Sequence, residues 1–251
     1  MASYGNSTVG PYPIAELRDY TLHPGQRDVL IDVFERHFIE SQEAVGMDVL
    51  AHFRDLDRPD RFVWFRGFPS MAARGESLPA FYVRGEAWQA HRDTANATMI
   101  DSDNVLLLRE AWPGAGMTGA GERPPVDAAA KDHSLVLVTT YSFASPADAA
   151  LSELMRERLL PAAQAAGARI LAAYATEYAD NNFPRLPVRQ GEHVFVWVAA
   201  FAGADAYGRY RVALRDSAQW REAQAELARR SNKPAEERRL VPAARSRALG
   251  D

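Results

Sequence analysis

Cysteine is absent from the chain. That excludes disulfides, thiolate nucleophiles, iron–sulfur clusters and Cys zinc sites. An excess of positive charge is also lacking: 29 Lys and Arg stand against 33 Asp and Glu, for a net charge of -4. Phosphate binding usually needs a basic face, so nucleic acid is not an expected partner. The basic stretch with Arg229, Arg230, Lys233, Arg238 and Arg239 reads as solvated helix surface. No apolar run approaches the ~20 residues that span a bilayer, and Met1 to Gly10 has neither a basic nor an apolar signal region. The expectation is a cytoplasmic protein with no membrane partner. Nor is there a P-loop, a dinucleotide-binding glycine unit, a nucleophile elbow or an HExxH pattern. The Gly-rich stretch Gly114 to Gly121 lacks the strand-to-helix context that phosphate binding requires.

What is present is a chain written twice. Its 251 residues, 47% apolar and 25% charged, suit two ordinary globular units. FVWFRGF (Phe62 to Phe68) returns as FVWVAAF (Phe195 to Phe201), with Trp64 and Trp197 133 positions apart. Trp88 and Trp220 are 132 apart, and Tyr20 and Tyr141 are 121 apart. Landmarks in one order at nearly one offset mark an internal repeat. The offset changes because the segment Ala179 to Gly191 lengthens the second copy. Between the copies, Trp112 to Lys131 is rich in Gly, Pro and Ala and reads as a flexible linker. The expected division is a first half at 11–111, a linker at 112–132 and a second, diverged half at 133–246.

Each half reads β-α-β-β-α-β, the ferredoxin-like order. In the first, strands are expected at Ile14 to Thr21, Met47 to Asp55, Arg61 to Phe68 and Asp103 to Arg109. Leu30, Val33, Phe34, His37 and Phe38 recur at helical spacing between the first two. Alternation splits the strands into two faces. Ala15, Leu17, Val49, Ala51, Phe53, Val63 and Phe65 form an apolar set expected to pack on the helices. The opposite set includes Glu16, Arg18, Tyr20, His52, Arg54, Trp64 and Arg66, joined in the second half by Tyr141, Tyr174, Thr176 and Trp197. Such aromatic faces would form an exposed patch unless pressed together. The expectation is an α+β fold, two tandem ferredoxin-like halves closing a barrel within one chain, with a mixed polar and aromatic pocket inside.

Three stretches carry a family resemblance: Glu16 to Phe38, Phe53 to Phe68 and His91 to Arg109. They resemble the NIPSNAP family, in particular its bacterial members, and the second half looks like a diverged copy. The resemblance implies membership of the dimeric α+β barrel group and hence the same barrel. That group includes cofactor-free monooxygenases, isomerases, lactone-forming and dehalogenating enzymes, and some haem proteins. It supplies no catalytic motif to carry over.

The candidate site is therefore argued from this chain. A charged wall confined to the first half, Glu16, Arg18, Arg54 and Arg66, suggests an anionic ligand, because buried charges are costly unless paired and Arg suits a carboxylate, phenolate or enolate. The competing reading is an internal ion-pair network of Glu16 with Arg18, Arg54 or Arg66. Tyr20, Trp64 and Trp197 would line the substrate pocket, and His52, Tyr141 or Tyr174 would move a proton; His52 equally suits a hydrogen-bonded structural role. His37 is expected on an apolar helix face, and it or His193 would be the axial ligand if the protein held haem. His91 with Asp93, and the acidic turn Asp55 to Asp60, read as surface features rather than metal sites. The leading expectation is a small-molecule enzyme, a cofactor-independent oxygenase, isomerase or cyclase acting on an aromatic or polyketide-like substrate, its partner being a small aromatic or anionic molecule. The alternatives are a non-enzymatic binding or interaction module and a haem protein. Outer helical faces leave a homo-oligomer possible.

Overall fold

A computed structural model describes residues 12–119, 121–129 and 134–248. The N-terminal segment and the expected boundary at 132–133 lie outside the described residues. In chain order the first half runs β1 (Ile14–Leu22), α1 (Arg27–Val33), a π-helical turn (Phe34–Phe38), α2 (Ile39–Glu43), β2 (Asp48–Asp55), β3 (Arg61–Phe68), α3 (Met71–Tyr82), α4 (Glu86–Asn96), β4 (Met99–Asp101) and β5 (Val105–Glu110). The second runs β6 (Leu135–Phe143), α5 (Ala149–Glu153), a π-helical turn (Leu154–Leu159), α6 (Leu160–Ala165), β7 (Arg169–Thr176), β8 (His193–Phe201), α7 (Ala204–Asp216), α8 (Ala218–Arg230) and β9 (Ser231–Pro242).

The halves are joined strand to strand. The sheet order is β3-β2-β9-β6-β8-β7-β5-β1-β4, and β1 also pairs with β3, so eight strands close a barrel and β4 hangs on the end of β1. The two seams are reciprocal. Strand β5 leaves the first half to pair with β7, and β9 leaves the second to pair with β2. Every pairing is antiparallel.

The alternation along the strands is the expected one, but the faces are reversed. Ala15, Leu17, Ala51, Phe53, Val63 and Phe65 meet Val136, Val138, Ala172, Val194, Val196, Val198 and Ala200 in one core inside the barrel. The aromatic sets point outward beneath the helices, Tyr20, Phe62, Trp64 and Phe68 in one half and Tyr141, Phe195, Trp197 and Phe201 in the other. Width is the reason. An eight-stranded barrel has an interior just filled by side chains, and here Ala and Val positions leave room for Leu17, Phe53 and Phe65. Two tryptophans and three arginines need the deeper layer between sheet and helices. The expected pocket inside the barrel is accordingly absent among the described residues. A cavity of about 30 Å³ lies at one mouth, lined by Asp19, Asn104, Arg189, Glu236 and Arg238, with room for a water molecule rather than a substrate.

Tyr174 shows the same correction on a single residue. Grouped in the sequence with Trp197, it lies on the opposite face: Ala173 pairs with Trp197, while Tyr174 pairs with Val196 and points into the barrel, 0% exposed. Its hydroxyl accepts a hydrogen bond from the Met117 backbone N–H at 2.7 Å, and burial pushes the phenol pKa up. Met117 is itself buried and packs in the barrel core, so the chain is held by packing at that point. Tyr174→Phe leaves that buried N–H without an acceptor, and denaturant unfolding should show a loss of about 1–3 kcal/mol. An unchanged midpoint would show that the segment is not held there.

Candidate functional site

The layer between the first half's sheet and its helices holds an unusual concentration of charge. Glu16 on β1 sits opposite Arg66 on β3 in the antiparallel register, and Arg18 lies two residues along on the same face. Helix α3 follows β3 directly and is capped by the Ser70 side chain, which accepts from Ala73 N at 3.1 Å. Arg74, Ser77, Leu78 and Phe81 form its buried stripe, which carries Arg74 onto the same carboxylate.

Three guanidinium groups converge on one carboxylate. Arg18 Nη1 and Arg66 Nη2 donate to Glu16 Oε2 at 2.6 and 2.5 Å, and Arg74 Nε donates to Oε1 at 2.7 Å. All four residues are 0% exposed. Burial alone would raise the Glu16 pKa; Arg66, Arg18 and Arg74 outweigh it and hold the carboxyl well below the usual range. The cluster is therefore ionised and carries an excess of two positive charges over its single carboxylate.

Aromatic rings and neutral acceptors take up part of that excess. The Arg66 guanidinium lies 5.2 Å from the Trp64 ring centre and 5.6 Å from that of Tyr82, and Arg18 lies 5.4 Å from Tyr20. Arg66 Nη1 donates to Gln42 Oε1 and to the Tyr82 hydroxyl, both at 3.1 Å, and Arg18 Nε donates to the Tyr20 hydroxyl at 2.7 Å. Three buried donors of this layer have no partner among the described residues: Arg18 Nη2, Arg74 Nη2 and Trp64 Nε1. Both hydroxyls accept from arginine, which leaves their protons free to donate elsewhere. A buried donor left unmade costs free energy, and these three carry that cost beside an excess of positive charge.

Glu16, Arg18, Tyr20, Trp64 and Arg66 are thus brought together as the sequence suggested, beneath the helices rather than inside the barrel. The other candidates stand apart. Arg54 is turned to the surface, paired with Asp28 and about one-third exposed. His52 is buried against Phe34, its Nε2 2.7 Å from Glu35 Oε1. Burial pushes its pKa down, the bond to Glu35 pulls it back, and its Nδ1 has no partner among the described residues. Tyr141 and Trp197 belong to the second half's own core, where the Tyr141 hydroxyl accepts from Gln224 Nε2 at 2.7 Å and burial pushes its pKa up to about 12. At the positions of Glu16, Arg18 and Arg66 the second half carries Leu137, Thr139 and Ala199, so the charge is confined to one half.

The two histidines considered for haem do not fit it. An axial ligand needs a ring nitrogen aimed into an apolar slot. His37 is half-exposed and stacked flat on His91, ring centres 3.6 Å apart. The π-helical turn explains the displacement: its extra residue moves the buried stripe from position 37 to Phe38, Ile39 and Gln42. His193 is half-exposed, with Tyr178 bonded to its Nδ1 at 2.9 Å. Among the described residues no group of three or more His, Asp and Glu is placed to hold a metal ion, and no helix is long and apolar enough to cross a membrane.

The sequence reading missed Arg74, Gln42 and Tyr82. Arg74 had a signal, since it falls on the apolar stripe of its helix at the spacing of Ser77, Leu78 and Phe81. Gln42 had none, because only the π-helical turn brings it inward.

Solved structures with the same arrangement complete the description. A protein from Lactobacillus acidophilus NCFM, provisionally named a monooxygenase, matches over 92% of this chain and 94% of its own, with a TM-score of 0.56 and 13% identity. An anthrone oxidase-like protein matches over 94% and 95%, with a TM-score of 0.56 and 14% identity. The fold is a dimeric α+β barrel. A NIPSNAP-family protein of unknown function from Agrobacterium tumefaciens str. C58 matches 39% of this chain and 88% of its own, with a TM-score of 0.36 and 19% identity. Neither a protein-family model nor a curated protein matches the sequence. At these identities the likeness is one of fold, and the chemistry of this barrel rests on its own residues.

Proposed function

We propose that the first half's sheet–helix layer is the binding site of a small aromatic anion, and that the protein is an enzyme of the barrel type which activates that anion. We also read the chain as a two-domain relative of the NIPSNAP proteins, on the three resembling stretches. The observation that carries the functional reading is the set of three wholly buried arginines against one carboxylate, with Arg18 Nη2, Arg74 Nη2 and Trp64 Nε1 left as unmet donors. A phenolate, enolate or carboxylate oxygen would take those donors.

The chemistry follows from the charge. A site with two excess cations in low dielectric favours the ionised form of a phenol or enol and lowers its pKa. Tyr20, whose proton is free and whose pKa burial raises, would donate a hydrogen bond to the bound oxygen, while the substrate's own proton leaves to solvent. For an anthrone-like substrate, the kind that one structural neighbour's name implies for that neighbour, the ionised ring reacts with dioxygen at its CH2 carbon. One oxygen atom becomes the new carbonyl, and the other leaves as water with the two hydrogens of the CH2. The substrate supplies the electrons. Isomerisation through the same anion needs only the proton transfer. His52 has no part in this account, because its ring faces Glu35.

Salicylate and its neutral amide, salicylamide, test the binding step. Salicylate should bind in titration calorimetry and salicylamide should bind far more weakly. Arg18→Met, which keeps length and removes charge, should lower salicylate affinity by on the order of thirtyfold, the equivalent of about 2 kcal/mol. Equal affinity for both compounds, or an unaffected variant, would refute the anion site. A non-catalytic binding module is the second reading, favoured by the side-chain-filled barrel. Oxygen uptake with an anthrone substrate separates the two, since the module consumes none.

A further inference from the structure

We propose that the segment joining β7 to β8 in the second half forms part of the first half's anion site, with Asn181 and Asn182 as positioning residues that aim Arg74. This rests on the reading of the buried arginines as an anion site. Arg74 spends Nε on Glu16 and donates from Nη1 to both Asn181 Oδ1 at 3.0 Å and Asn182 Oδ1 at 2.6 Å. Acceptors on two sides fix the guanidinium plane, so the direction of its unmet Nη2 is set by the second half.

The asparagines are themselves held. Asn182 Nδ2 donates to Met71 O at 2.6 Å, and Asn181 Nδ2 donates to Leu186 O at 3.0 Å. Asn182 lies flush against α3: a Cβ on Gly75 would come 2.7 Å from Asn182 Nδ2. Phe183, 7% exposed, stacks on Tyr82 with ring centres 6.2 Å apart, and the Tyr82 hydroxyl is the one bonded to Arg66. Both ends of the segment are pinned to β5, through Glu177 N to Leu107 O at 3.0 Å and Arg189 N to Val105 O at 2.8 Å. The first half joins its own β2 and β3 with only the turn after Asp55, so the segment has no counterpart there.

The residue type matters as much as the contact. A carboxylate at either position would orient Arg74 equally well but cancel its charge. An amide orients it and leaves the full positive charge for the ligand. A purely structural role gives the opposite preference, because a carboxylate is the stronger acceptor for arginine.

Titration of the full chain with salicylate and salicylamide separates these. Asn182→Ala should weaken salicylate about five- to tenfold, within the range of one ordinary hydrogen bond, with salicylamide unchanged. Asn182→Asp should weaken salicylate further, and Gly75→Ala should behave like Asn182→Ala. Limited trypsin digestion gives a readout free of ligand: cleavage after the exposed Arg185 should be faster in Asn182→Ala than in the wild type. Salicylate binding that is unaffected in all three variants, stronger in Asn182→Asp than in Asn182→Ala, or accompanied by unchanged cleavage at Arg185, overturns the positioning role and leaves the anion site standing. A wild type that does not prefer salicylate to salicylamide overturns the anion site, and this inference with it.

Discussion

Replacing Glu16 with glutamine should cost about 3–5 kcal/mol of stability, the usual penalty for breaking a buried ion pair by removing one partner. The change is nearly isosteric, so packing is preserved and the effect is electrostatic. Arg18, Arg66 and Arg74 would be left in a 0% exposed cluster with no carboxylate to meet them. For a chain of this size the loss corresponds to a fall in Tm on the order of ten degrees. The wild type also predicts a pH signature. The folded-state pKa of Glu16 is depressed, so its stabilisation is fully present above the unfolded value of about 4.3 and is lost as the pH falls below it. Thermal melts should therefore show an acid-side decline in the wild type that is reduced in Glu16→Gln. A variant that melts with the wild type at neutral pH would mean that the three arginines are satisfied without the carboxylate.

The second large effect concerns the barrel seam. Deleting residues 231–251 removes β9, which pairs with β6 from Val136 to Phe143 and with β2 from Phe53 to Asp55. Two strands would become open edges at once, and an exposed edge is a template for aggregation. The same deletion removes Arg245, 3% exposed, whose backbone N–H donates to Glu35 Oε1 at 3.1 Å and whose Nε donates to Pro124 O at 2.8 Å. The truncated chain should lose its cooperative thermal transition and elute as aggregate in size-exclusion chromatography. A monomer with a sharp transition would show that the barrel does not depend on its last strand.

The architecture was legible because the chain repeats itself. Trp64 and Trp197 mark equivalent strands, and the structure places them on equivalent outward faces of β3 and β8. The direction of those faces was not legible, and the reason is general. Both faces of each strand bury against something, one against the opposite side of the barrel and one against helices, so polarity does not identify the interior. Side-chain size is the better guide: Ala15, Ala51, Val63, Val196 and Ala200 suit a narrow barrel and leave room in it for Phe53 and Phe65, while Trp and Arg suit the wider layer. Irregularities hid the rest. A register shift between Val49 and Ala51 turns Leu50 inward beside Ala51, and another between Ile170 and Ala172 sits beside the misassigned Tyr174. The charged candidates were found by their placement on β1 and β3. Arg54 was the exception, because it sits near the end of β2 where the strand reaches solvent and Asp28.

Crystals of the full chain soaked with an iodinated benzoate test the central claim most directly, because the halogen's anomalous signal locates the ligand independently of any assumed pose. The account predicts a peak between the first half's strands and helices, beside Trp64 and Tyr82, with the carboxylate on Arg18. A peak inside the barrel, or only on the outer surface, would contradict it.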